Sequence, residues 1–323
     1  MDGPTAPACQ LRQPANCASL FGIARIPGDN HIRDMLDPAE PALLRPVFAQ
    51  AVGQLGRIDS GPDGFRRIGG RVLIALDGTK YYCSRSIRCP HCPTRLCGES
   101  ETEYHHAMLA ATLVAPGHDK VIPPEPEFIV PQDGAEKQDC ENQAARRWLA
   151  AHAGRDTALD AVYPGDDLFS RQPLCAAVQA AGGHFIFVCK PASHPLIQEY
   201  RTGIDLPTLA QPVRRGQQHF VHRYRWLQGV PLRAGGDALT VNGVEIEIVN
   251  GRGETTWRNS CITDLPVDRD TVANLAAVLV ALNLLACAIH TVCDIADEPG
   301  RAARAKPGPR YKLLQTSATS WRR

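Results

Sequence analysis

The chain has 323 residues, enough to bury a full core in one large domain or two smaller ones. An apolar fraction of 44% and a charged fraction of 21% fit an ordinary soluble globular protein. With a formal net charge of +1, any nucleic-acid contact must come from local basic patches, which speaks against a protein that coats DNA through a global field.

Residues 1–18 are rich in Pro and Ala and read as a disordered N-terminus without the apolar run of a signal peptide. The twelve cysteines follow no disulfide-framework spacing, so a reducing, cytoplasmic setting with free thiols is expected. Residues 19–70 read as a helical segment. Asp37-Pro38-Ala39-Glu40 has the form of a capping box, and Leu43, Leu44, Val47, Phe48, Ala51, Val52 and Leu55 recur at helical spacing. Pro46 fits only if the helix starts near it. A Gly-rich loop is expected over residues 60–70.

Arg71–Tyr82 is an apolar strand that ends in Asp77-Gly78-Thr79. Beyond it lie Cys89-Pro90-His91-Cys92, Cys97 and His105-His106. Cys89, Cys92, Cys97 and His105 are candidate ligands of a tetrahedral zinc ion, since thiolate and imidazole suit Zn²⁺. The CxxC is single, and a loop or hairpin with ordinary thiols is the commoner outcome. A strand over residues 104–114, a Pro-rich loop, a short strand from Phe128 to Pro131 and a helix over residues 139–152 follow. That helix carries Ala144, Ala145, Trp148 and Leu149 on one face.

Residues 161–195 read as strand, acidic turn, helix and strand. Asp166 and Asp167 stand at the mouth of a helix carrying Leu168, Leu174, Ala177 and Val178, which Gly182-Gly183 ends. Phe185-Ile186-Phe187-Val188 suits the buried middle of a parallel sheet. Asp166 has two readings. It can cap the helix, or it can join Asp77 from another strand to hold hard divalent cations, Mg²⁺ or Mn²⁺, for phosphoryl chemistry.

Lys190 and His194 leave the next strand and are candidate phosphate contacts. Arg214, Arg215, His222, Arg223 and Arg225, interleaved with Tyr224 and Trp226, form the densest basic run. Arginines beside aromatic rings suit a nucleic-acid backbone and an unstacked base. The competing reading is a strand with one solvated, charged face. Further strands are expected over residues 241–250 and 257–265. Residues 271–293 form an expected helix without any charged residue, and a buried core helix is favoured over a membrane span. Residues 299–323 form a basic tail read as disordered.

Several of these segments resemble the DDE transposases of bacterial insertion sequences. The matching stretches are IALDGTKYY around Asp77, FIVPQDGAEKQDCE (Phe128–Glu141), PGDDLFSRQPLC around Asp166, HFIFVCKPASHP, RYRWLQGVPLR (Arg223–Arg233) and CITDLPVDRDTVANL (Cys261–Leu275). They occur in the family's order and cover most of residues 19–294. The resemblance implies an α/β fold: a ribonuclease-H-like mixed β-sheet flanked by helices, here over residues 71–298, with an inserted β region at about 200–265.

The resemblance also implies a function. Asp77 and Asp166 would be the first two acids of the triad, with Asp167 the adjacent alternative for the second. Water would attack the phosphodiester at the element end, and the freed 3′-hydroxyl would then attack target DNA. Double-stranded DNA and a second copy of the chain are the implied partners. One departure stands out: the Trp-x-Ile-Glu-type motif expected after Leu275 is absent, and with it the family's third acid. A defective copy, or a non-catalytic DNA-binding remnant that interferes with intact transposase, is the expected consequence.

Overall fold

The computed structural model describes residues 45–54 and 61–282 except 87, 90–91, 98–100, 117–120, 131–139 and 158, with residues 31, 34 and 43 besides. The chain divides into two units, Met1–Val47 and Phe48–Arg323, and nearly all described residues belong to the second. The expected capping box at Asp37–Glu40 and the basic tail lie outside the described residues.

Helix α1 (Arg45–Gln54) begins one residue before Pro46, where the missing N–H costs nothing. The expected loop at 60–70 is instead a short helix α2 (Gly61–Phe65) and a 3-10 turn, with Gly69 and Gly70 at positive φ. The elements that follow are β1 (Val72–Ser84), β2 (Thr94–Cys97), β3 (Glu101–Val114), β4 (Glu127–Ile129), α3 (Glu141–Thr157) and β5 (Ala161–Gly165). After them come α4 (Gln172–Ala180), β6 (His184–Val188), α5 (Pro195–Gly203), β7 (Thr208–Arg215), β8 (Gln218–Pro231), β9 (Thr240–Asn250) and β10 (Thr255–Thr263). Helix α6 closes the described chain at 272–282.

All ten strands share one mixed sheet in the order β2-β3-β1-β5-β6-β10-β9-β8-β7, with β4 also paired to β3. β1 runs antiparallel to β3 but parallel to β5, and β5 parallel to β6. The β region expected as an insertion is continuous with this sheet, because β10 pairs antiparallel with β6.

Strand alternation divides the core. Val72, Ile74 and Leu76 of β1, with Ala161 and Tyr163 of β5, face one cluster with α3 and α4. Leu73 and Val162 face the other, where α6 lays Val272, Leu275, Ala276 and Leu279 against Tyr224, Trp226 and Ile246. Both faces of the central strands are therefore covered, which is why they read as unbroken apolar runs. Trp148 anchors α3: it is fully buried, and its indole N–H donates to Glu125 O at 2.6 Å. Truncating it would cost about 3–5 kcal/mol. Among the described residues no helix is long and apolar enough to cross a membrane.

Candidate active site

The parallel pair β1–β5 sets the position of the two aspartates. Val72 lies beside Ala161 and Leu73 beside Val162. Counted forward at that register, Asp166, just past the carboxyl end of β5, falls level with Asp77 on the neighbouring strand about 4.8 Å away; the strand expected to end at Asp77-Gly78-Thr79 in fact continues to Ser84, paired with β3. That is the end of an α/β sheet where ligands bind.

Asp166 is not a helix cap. Helix α4 starts at Gln172, with Arg171 at the cap position and no side-chain cap bond. Asp166 Oδ1 instead accepts from Leu168 N–H at 2.8 Å, an Asx turn that leaves the carboxylate exposed. Leu168, expected on the apolar helix face, is accordingly off the helix and 44% exposed.

Asp167 has a different task. One of its oxygens accepts from Lys190 N–H at 2.7 Å and the other from Ser193 Oγ–H at 2.5 Å. Its carboxylate thus fastens the loop between β6 and α5 to the acidic turn. Ser170 Oγ and His194 Nε2, both buried and 2.6 Å apart, complete this tie. Burial and the Arg171 guanidinium hold His194 below the usual imidazole range. Asp167 and His194 therefore hold this loop to the acidic turn, a task the sequence does not suggest. The Lys190 side chain is exposed at this end of the sheet.

A third acid joins the two aspartates. Glu141 opens helix α3, whose N-terminus carries the positive end of the helix dipole. An ideal Cβ on Gly78 would stand 2.0 Å from Glu141 Cδ, so the carboxylate fills the space that glycine leaves. Burial, then the negative charges of Asp166 and Asp77, push the Glu141 carboxyl above its ordinary range. The one sequence signal was an acid in the first turn of a helix, which is also what any ordinary helix prefers.

The basic run lies elsewhere. β8 is five strand spacings from β1, about 24 Å across the sheet. Arg225 Nε donates to Glu245 Oε1 at 2.8 Å, and Arg258 reaches the same oxygen at 2.9 Å. Arg223 faces Glu247 at 3.6 Å. These are cross-strand pairs between β8, β9 and β10, and they give acidic partners to two of the arginines that the sequence offered to phosphates, Arg223 and Arg225. Tyr224 and Trp226 are buried, so neither ring is open to a base. Arg215 stacks over Phe220 at 5.5 Å, and Arg214, exposed, donates to Gly216 O at 3.0 Å.

The expected zinc set is also rearranged. Cys97 lies 3.6 Å from Glu103 Oε2, and Lys80 pairs with the same Glu103 at 2.9 Å. His105 is half-buried near Lys80 and Glu103, held below the usual imidazole range mainly by burial. Cys89 and Cys92 meet His106 instead. Adjacent strand residues point to opposite faces, so exchanging one histidine for the next changes the side of the sheet. No protein-family model matches this chain, and no curated protein matches it.

Proposed function

We propose that the protein is a DDE-type transposase, a divalent-metal-dependent enzyme that cleaves and transfers strands of double-stranded DNA. One observation carries this reading. Asp77 and Asp166 sit level on adjacent parallel strands, and the carboxylate of Glu141 lodges against Gly78 beside them. The arrangement of β4, β3 and β1 as an antiparallel set, continued by parallel β5 and β6, also suits the ribonuclease-H-like core that the motifs imply. Glu141 gives the site a third acid although the Trp-x-Ile-Glu-type motif is absent.

The donor set fits Mg²⁺ or Mn²⁺. All three groups are carboxylates, the ligands of hard cations, and their mutual repulsion is what such a cation neutralises. Bound divalent cations supply Lewis-acid polarisation of the phosphoryl oxygens and a clamp on the attacking and leaving oxygens. Asp77, inside β1, and Asp166, just past β5, would hold them. Glu141, whose carboxyl is raised above its ordinary range by burial and by the charges of Asp166 and Asp77, would take the proton from the attacking water. Lys190 contacts the phosphate backbone, on a loop that Asp167 and Ser193 keep in place.

The test is a nicking assay on a supercoiled plasmid carrying the DNA that flanks this coding sequence. Cleavage that requires Mg²⁺ or Mn²⁺ and disappears in Asp77→Asn, Asp166→Asn and Glu141→Gln supports the proposal. DNA binding without cleavage by the unaltered chain would replace it with a non-catalytic DNA-binding protein.

A further inference from the structure

Away from the acidic residues, the loop between β1 and β2 is folded back onto β3 by three side chains. Cys89 Sγ and Cys92 Sγ lie 3.6 Å apart. His106 Nε2 stands 3.4 Å from the first and 3.3 Å from the second. Among the described residues this is the one set of three or more Cys, His, Asp or Glu whose ligand atoms all lie within 4.8 Å of one another.

Those distances have a specific meaning. Around a tetrahedral zinc ion with Zn–S about 2.3 Å and Zn–N about 2.05 Å, the S···S edge is about 3.8 Å and each S···N edge about 3.6 Å. The three observed separations each agree with those edges to about 0.3 Å. Two thiolates and an imidazole nitrogen therefore already outline one face of the tetrahedron, without a disulfide between the cysteines.

The surroundings prepare the same geometry. Cys92 N–H donates to Cys89 O at 3.2 Å, and Cys89 N–H points at Cys92 Sγ at 3.3 Å. The second, an N–H···S bond, offsets charge on a thiolate. The β1–β3 register slips between Lys80 and Tyr82, an irregularity that leaves Tyr81 without a partner in the ladder. Tyr81 then stacks on the His106 ring at 5.7 Å, with Tyr82 5.5 Å from it on the paired position. The two rings fix the plane of the imidazole.

We infer that Cys89, Cys92 and His106 bind a zinc ion, completed by a fourth ligand with a light donor atom. The ion fastens the β1–β2 loop to the far end of the β1–β3 pair. The site is five residues along β1 from Asp77, about 17 Å, so the metal is separate from the acidic centre.

The full-length chain is purified under reducing conditions, dialysed against metal-free buffer and assayed for zinc. About one equivalent per chain is expected, and zinc far below that would overturn the inference. X-ray absorption on the unaltered protein should show two sulfurs at about 2.3 Å and nitrogen or oxygen at about 2.0–2.1 Å. A shell without sulfur refutes the site without any variant having to fold. His106→Ala and Cys92→Ser should lose the zinc, whereas His105→Ala and Cys97→Ser keep it. Loss in the second pair with retention in the first would also refute it.

Discussion

The carboxylate of Glu141 fills the space where a side chain at Gly78 would begin. No positive φ requires glycine at position 78, so its role is the room it leaves for a group from another element. Gly78→Ala should fold with near-normal stability while displacing that carboxylate. Metal-dependent cleavage should fall by about tenfold or more, roughly 1.4 kcal/mol of transition-state stabilisation. A Tm measured beside the cleavage rate separates displacement of the acid from general loss of structure.

Glu141→Gln should act in opposite directions on stability and activity. The native carboxylate is disfavoured by burial and by the charges of Asp166 and Asp77, so a neutral amide relieves repulsion. The urea midpoint should rise or stay unchanged while cleavage falls by about a thousandfold. A lowered midpoint with intact cleavage would make Glu141 an ordinary helix-start residue.

The neighbouring aspartates should separate cleanly. Asp166→Asn removes a site carboxylate from an exposed turn and should abolish cleavage with little change in stability. Asp167→Asn disturbs the bonds from Lys190 N–H and Ser193 Oγ–H and should cost about 1–3 kcal/mol. Chemical unfolding and the nicking assay, run on both variants, give the comparison.

His222 sets an acid limit on stability. Burial, with the Arg215 charge adding to it, pushes its pKa down to about 4. The unfolded chain, with an ordinary imidazole near 6.5, takes up the proton first as pH falls. Stability should therefore be intact above about pH 6.5 and decline toward pH 4. Because the ring is not fully enclosed, solvent screening reduces the effect to the order of 1 kcal/mol. His222→Asn should flatten this part of the pH profile of the urea midpoint.

The basic residues should divide by partner. Lys190→Ala and Arg214→Ala should weaken DNA binding and each reduce the slope of log affinity against log salt by about 1. Arg225→Ala should instead lower stability, since Glu245 pairs with it across the sheet. Titrations at several salt concentrations, paired with unfolding curves, distinguish the two.

The sequence made the central strands legible because they are buried on both faces: Val72–Leu76 of β1, with β5 and Phe185–Val188 of β6, read as short apolar runs. It also exposed Asp77 and Asp166, since an acid closing an apolar run is conspicuous. Trp148 and its neighbours on α3 were legible by helical period, and they are buried as that period requires. Glu141 was not, because an acid opening a helix is unremarkable until its distance from Gly78 is known. The Arg225–Glu245 pair was equally hidden, since β8 and β9 meet in a register that neither strand specifies alone.

The sequence by itself determined the central apolar strands, the buried face of α3 and the two aspartates that close apolar runs, because local periodicity and residue chemistry fix those. Tertiary structure alone decided which acid joins them, which arginines are neutralised and which of two adjacent histidines meets the cysteines. Each of those depends on strand register and on the approach of distant elements, where a shift of one residue turns a side chain to the opposite face of the sheet.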